Sequence, residues 1–417
     1  MLEVRGFRGF RFNKRLVGSL DRVITPPYDV ISAEERSALA RRSPYSMVHL
    51  ILPEESGGRT RYEVSAELFQ DWIRKGALRQ DANESFYLLE QTFRGLDGAE
   101  RVRRGFFAVT KLPEAGERII LGHERTFTGP VEDRLRLTES VRANLSSVMV
   151  LYSDPAGDLR PFLSQMFERP EDDCAYTIDR VTQRLWRVPA NSKVSEFFCN
   201  KKLYIADGHH RFRMAGLLRD RLREVETPQG RRTYDYVLMG FIPFEDPGLL
   251  IHPPHRVLDF QTGFTREDFL EKLRPWFEVV PMNNDVIAAL EHEPDCAFGL
   301  ATHGNGPCLL RLRAVDRTGL LGSDHSEAWR DLDVAVLHRG IIERILGLPE
   351  GAELTYEHDA KRALDVVASG QKGMAFLLRP MHPEQVRACA EAGDPMPQKS
   401  TYFFPKLPSG SVVYRLD

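Results

Sequence analysis

Residues 202–222, KLYIADGHHRFRMAGLLRDRL, constrain the fold more than any other stretch of the chain. KLYIA is a short apolar run that reads as a buried strand. Phe212, Ala215, Leu218 and Leu222 then recur at helical spacing and mark one face of a helix. Asp207-Gly208 is therefore a strand-to-helix turn, a junction that belongs to layered structure containing both element types.

The same turn carries chemistry. The first turn of a helix leaves backbone N–H groups unpaired and bears partial positive charge, so an anion fits there. Gly208 lets a ligand approach the backbone closely. His209, His210 and Arg211 add donors, and Arg211 can fork two phosphate oxygens. Asp207 has two readings: it caps the helix, or it holds Mg²⁺ beside a phosphate. The plain alternative is a capped helix with solvated basic residues. Against it, two imidazoles and a guanidinium crowd the positive end of a helix, where an anion is needed to offset them.

Further strand-like runs are 85–93, 104–112, 147–153, 183–189 and 236–244, and helix-like runs are 60–75, 131–142, 158–168, 264–274, 330–346 and 359–369. Strands and helices alternate without segregation, which predicts an α/β fold of mixed α+β character. At 417 residues the chain exceeds one typical core. Breaks near 112–116 and 259–264 suggest three segments, 1–112, 113–260 and 261–417, and "TPQGRR" (227–232) reads as a loop.

Hydrophobic content of 42% and charged content of 28% predict a soluble globular protein, and a net charge of -3 argues against a dedicated nucleic-acid binder. Five widely spaced cysteines without a C-x-x-C pair read as free thiols in a reducing compartment. MLEVRGFRGFRFNKRL lacks the apolar core of a signal peptide, and no run approaches a membrane span. A cytoplasmic protein without membrane or nucleic-acid partners is expected.

Four other stretches concentrate polar groups. HERTFTGPVEDRLRL (123–137) sets His123-Glu124 at a strand end and opens a charged helix after Pro130, with Asp133 and Arg134 in it. A carboxylate such as Glu124 can serve as general base where burial raises its pKa; an exposed loop is the alternative. TPPYDV (25–30) is a rigid turn carrying Tyr28 and Asp29, read first as scaffolding. HPPHRVLD (252–259) places His252, His255 and Arg256 on another stiff turn, a loop or a weak metal site. MPQKSTYFFPK (396–406) sets the donors Lys399, Ser400 and Thr401 beside aromatic residues, without the glycines of a P-loop.

Taken together, PPYDV (26–30), HE-x-T (123–126), DRL (133–135), AN (143–144), LY (151–152), IADGHHR (205–211), LDVAVLH (332–338) and MPQKSTYFFPK (396–406) resemble an uncharacterised family, domain of unknown function 1015. The HE…DGHHR arrangement is more distantly similar to the ParB and sulfiredoxin superfamily, which includes free-serine kinases. That resemblance implies a ParB/sulfiredoxin-like core with additional α/β segments on both sides. It implies Glu124 as base, Gly208, His209, His210 and Arg211 on nucleotide phosphates, and Asp207 as a catalytic residue near Mg²⁺. His123, Arg134, Asn144, Lys399, Ser400 and Thr401 are the expected substrate-binding residues. The implied activity is a kinase acting on the hydroxyl of free L-serine or a related metabolite, with ATP or ADP as donor. A phosphatase or nucleotide hydrolase acting on phosphoserine-like substrates and a non-catalytic nucleotide switch are the alternatives. The chain departs from sulfiredoxin in having no cysteine in the box, and from ParB proteins in lacking a basic DNA-binding region.

Overall fold

A computed structural model describes residues 1–225, 232–259, 265–282, 285–352 and 354–416. The break at 260/261 and all but the last residue of the 227–232 loop lie outside the described residues. The chain divides into two compact units. The first comprises residues 1–122, 126–250 and 405–417, and the second residues 123–125 and 251–404.

The first unit is built on β1 (Val4–Arg5), β2 (Ser85–Arg94), β3 (Glu100–Lys111), β4 (Ile120–Leu121), β5 (Val148–Tyr152), β6 (Asp173–Tyr176), β7 (Thr182–Pro189), β8 (Leu203–Asp207) and β9 (Tyr236–Pro243). Among the described residues these form one mixed sheet in the order β4-β8-β5-β9-β3-β2-β7-β6, with β1 also paired to β3. Two pairings are parallel, β4 with β8 and β5 with β9; the others are antiparallel. Every residue of β5 is buried, as befits a strand covered on both faces. Phe106 and Phe241 stack on neighbouring strands at 4.8 Å, within a core that also holds Tyr152 and Phe198.

Two helices frame the site of interest. α1 (Thr128–Val141) has Pro130 in its first turn, where a missing N–H costs nothing. α2 (His209–Val225) buries Met214, Ala215, Leu218 and Leu222, with Phe212 packed at the edge of the core, as its spacing predicts. A bulge shifts the register of β8 on β5 between Ile205 and Asp207, and such bulges re-aim side chains.

The second unit holds β10 (His255–Leu258), β11 (Phe277–Pro281), β12 (Ala297–Thr302), β13 (Cys308–Leu312), β14 (Thr355–Glu357) and β15 (Met374–Leu377). They form an antiparallel sheet in the order β11-β13-β12-β15-β10-β14. Val257, Leu309, Ala375 and Leu377 pack with Val286, Leu290, Ala363 and Val367 from its helices. The 330–346 segment expected to be helical includes an unusual π-helical stretch, Val336–Ile345. The protein is thus mixed α/β, as its alternating pattern predicts. All five cysteines are free. Among the described residues no helix is long and apolar enough to cross a membrane.

Candidate functional site

In the first unit, β8 delivers Asp207 to the head of α2. Gly208 has φ +89°, and its carbonyl accepts the first intrahelical bond from the Phe212 N–H at 2.9 Å. The capping position is therefore Gly208, and Asp207 is not the cap. A Cβ on Gly208 would also meet the Arg211 guanidinium at 2.9 Å, so conformation and space both require glycine.

Freed from capping, Asp207 pairs with two cations. One oxygen accepts from Lys406 Nζ and the other from an Arg211 Nη; the second Arg211 Nη donates to the Ser147 carbonyl. Arg211 is 6% exposed and Lys406 8% exposed, so these charges are largely withdrawn from water. Arg211 Nε and the Ser147 hydroxyl are buried without a hydrogen-bond partner. The anion that the crowded helix end requires is thus supplied in part by the chain itself.

Asp29 completes the charge cluster. Its carboxyl is pushed above the usual range by the atoms packed round it and then by the negative charge of Asp207. Asp29 remains exposed at its surface, so repulsion by Asp207 carries more weight than dehydration. The Asp207 carboxyl lies well below the usual range: burial opposes ionisation, but Lys406 and Arg211 outweigh it. Two neighbouring carboxyls are therefore driven in opposite directions, a pattern typical of functional sites. His210 is held neutral-leaning by burial, and its Nε2 accepts the Phe127 N–H at 3.1 Å. The buried His209 ring lies against Gly122, where a Cβ would stand 3.0 Å from Cδ2.

Behind this cluster a small cavity of about 40 Å³ is lined by Tyr28, Arg134, Asn144, Ser146 and Arg211 among apolar neighbours. The Arg134 guanidinium lies 4.2 Å from the Tyr28 ring centroid, and its Nη1 donates to the Ile51 carbonyl at 2.6 Å. Asn144 Oδ1 accepts the Leu238 N–H at 2.9 Å, so its amide also ties β9 in place.

The second unit gathers the remaining expected residues. His123 Nε2 is 3.0 Å from Thr401 Oγ1, and the His123 carbonyl accepts the Met396 N–H at 2.8 Å. Glu124, half-buried, forms a parallel bridge with Met396. The Ser400 hydroxyl donates to the Pro397 carbonyl. Lys399 adopts φ +49°, uncommon for a side chain, and its Nζ stands 4.7 Å from the Tyr356 ring centroid. His252 packs 5.1 Å from the Phe404 ring, and His255 Nδ1 accepts the Leu378 N–H at 3.1 Å.

Mg²⁺ on Asp207 does not fit this arrangement. Both carboxylate oxygens are occupied by cationic donors. Among the described residues no group of three His, Cys, Asp or Glu side chains could hold a metal ion. His252 and His255 accordingly form no metal site with a third ligand of these types.

The residue missed in the sequence is Lys406. It closes the box whose other donors, Lys399, Ser400 and Thr401, drew the attention, and its Nζ donates to Asp207. Its position two residues after the aromatic run, in PK rather than QKST, offered no phosphate-site spacing. Asp29 offered a faint signal, a carboxylate after a rigid Pro-Pro turn.

Fold and site together define a mixed α/β protein with a buried charge cluster at a strand-to-helix turn. The sequence profile described as "Protein of unknown function (DUF1015)" matches residues 4–335, and the chain belongs to that family. The match ends before the MPQKSTYFFPK box and before the last three residues of LDVAVLH. No curated protein matches. Among solved structures, a free serine kinase in complex with AMP is 12% identical with a TM-score of 0.38, covering 75% of this chain and 91% of that one. A conserved hypothetical protein from Pyrococcus furiosus is 13% identical with a TM-score of 0.34, covering 73% and 93%. SbnI with a C-terminal truncation, from Staphylococcus aureus, is 12% identical with a TM-score of 0.37, covering 73% and 85%.

Proposed function

We propose that the chain is a phosphotransferase that binds nucleotide phosphates at the head of α2 and phosphorylates the hydroxyl of free L-serine or a related small metabolite. One observation carries the nucleotide part: Asp29, Asp207, Arg211 and Lys406 are concentrated at one glycine-opened helix start. Scaffolding alone gives no reason to withdraw Asp207, Arg211 and Lys406 from water, because apolar residues of like volume are often as stabilising or more so. The unpartnered Arg211 Nε and the N-terminal end of α2 favour an acceptor-rich anion.

In this reading Gly208, His209, His210 and Arg211 hold the phosphates, with Lys406 beside them. The substrate hydroxyl oxygen bonds to the terminal phosphorus of ATP or ADP as the bond to the leaving nucleotide breaks, and Glu124 takes the hydroxyl proton. Phosphoryl transfer asks mainly for positioning and charge neutralisation, which a site rich in fixed charges can supply. His123, Lys399, Ser400 and Thr401, with Arg134 and Asn144, are the proposed contacts to substrate. Serine itself is suggested by the similarity of the HE…DGHHR boxes to those of free-serine kinases.

The test is phosphoserine formation from L-serine with ATP or ADP, followed by mass spectrometry. Turnover is expected, and Glu124→Gln should lower it by about 10²–10⁴-fold with nucleotide affinity little changed. Failure of both donors, with phosphoserine hydrolysed instead, would replace the kinase reading by a phosphatase.

A further inference from the structure

Three sequence boxes have no part in the chemistry above: HPPHR at 252–256, LDVAVLH at 332–338 and the backbone of MPQKST at 396–401. In the second unit they converge on one side chain. Arg256 is completely buried. Its Nε donates to His338 Nε2 at 2.8 Å, and one Nη donates to the Pro254 carbonyl. The other Nη donates to the Lys399 carbonyl at 3.1 Å and, at 3.4 Å, to that of Gln398.

Among the described residues no carboxylate pairs with Arg256, and its only ring contact is Tyr356, 4.7 Å from Cζ. Burial accordingly pushes the guanidinium down to about 10. A buried cation without a counter-ion is a costly way to fill space. What this one provides is direction: a rigid planar fork that spans three boxes at once. His338 is suited to receive it. Burial, and then the charge of Arg256, push its imidazole down to about 3, and because a guanidinium only donates, the neutral ring meets it with the Nε2 lone pair. His338 itself stands in the π-helical stretch, whose altered spacing changes which side chains face inward.

The carbonyls held by Arg256 belong to the turn that includes Lys399 at φ +49°, a backbone state that persists only where the surroundings enforce it. Two residues later Thr401 meets His123. We propose that Arg256 and His338 are positioning residues that lock the Pro397–Thr401 turn in the form that presents Lys399 and Thr401 to substrate. The catalytic part of this statement rests on the phosphotransferase reading; the locking itself does not.

The two parts are tested separately. Lys399 and Gln398 are exposed, so the Lys399–Ser400 bond is open to trypsin once the turn unlocks. The full chain is digested briefly, and cleavage at this bond is followed by mass spectrometry relative to cleavage after the exposed Arg362. His338→Phe removes the acceptor, His338→Gln supplies another, and Arg256→Lys keeps charge but loses the fork. His338→Phe and Arg256→Lys should speed cleavage at Lys399 about ten-fold, the scale of one lost hydrogen bond to a charged group, with His338→Gln within about two-fold of the natural chain. Equal cleavage in His338→Phe and the natural chain, or equally fast cleavage in the Gln and Phe variants, overturns the lock. If Arg256→Lys lowers the melting temperature too far to fold, the His338 pair still decides. In the kinetic arm, His338→Phe should lower kcat while leaving nucleotide affinity unchanged, and His338→Gln should restore it. An unchanged kcat in His338→Phe overturns the positioning role. A chain that makes no phosphoserine fails the phosphotransferase reading, whereas the proteolysis result judges the lock alone.

Discussion

Arg211 in the first unit and Arg256 in the second are both buried guanidinium groups at the centre of a sequence box, and they are satisfied in opposite ways. Arg211 faces a carboxylate, and its pKa is raised despite desolvation because Asp207 and Asp29 stand near it. Arg256 faces carbonyls and a neutral imidazole, and its pKa falls. The first arrangement is a balance of charges and responds to anything that alters charge, a bound anion included. The second is a geometric clamp in which a guanidinium meets neutral acceptors rather than an opposite charge. Ligand binding is expected where charge is adjustable, and loop positioning where it is not.

The comparison is broken most severely by neutralising its pivot. Asp207→Asn leaves Arg211 and Lys406 buried without their anion and should destabilise the first unit by about 3–5 kcal/mol, measured by chemical denaturation. Asp29→Asn should do the reverse in sign: it removes a carboxylate repelled by Asp207 and should leave stability equal or slightly higher at neutral pH. Equal losses in both variants would contradict the opposed roles.

The pH dependence follows from the same pair. The folded pKa of Asp207 is depressed, so its stabilisation is complete above the ordinary carboxylate value of about 4 and is lost as pH falls below it. The folded pKa of Asp29 is raised, so its ionisation costs stability at neutral pH, and that cost disappears as pH falls through the raised value. The difference in melting temperature between the natural chain and Asp207→Asn should therefore shrink below about pH 4. A difference independent of pH would show that Asp207 acts through shape alone.

A smaller effect is expected at Gly208. Alanine there must hold φ near +89° with its Cβ against the Arg211 guanidinium, which should cost about 1–3 kcal/mol in the same denaturation experiment. Alanine at Gly98, φ +77° but with open space around a Cβ, carries only the backbone part and should cost less.

Much of the first unit was legible because its strands are long, apolar and bounded by turns. The run at 85–93 became β2 (Ser85–Arg94), and 236–244 became β9 (Tyr236–Pro243). The helix face of α2 followed from spacing alone. The sheet of the second unit was not legible: β12 is AFGLAT and β10 is HRVL, short segments rich in small or charged residues. Such segments are strands because of their partners across the sheet, and sequence periodicity cannot register partners. The site divides in the same manner. The local box at 205–211 was visible because its residues are neighbours in the chain. Lys406, 199 residues from Asp207, was not, since only the return of residues 405–417 to the first unit brings it there. The family resemblance, by contrast, survived because many separate boxes carry it.

Isothermal titration of ADP into the natural chain and into Lys406→Gln tests the central claim most directly. Glutamine retains a donor for Asp207 but removes one charge from the proposed phosphate site. The account predicts one binding site in the natural chain and an affinity about 10–100-fold weaker in Lys406→Gln, the scale of a charge-assisted hydrogen bond, with the natural chain's affinity falling as salt is raised. Equal affinity in both proteins at matched stability, or no heat of binding in the natural chain at millimolar ADP, would contradict it.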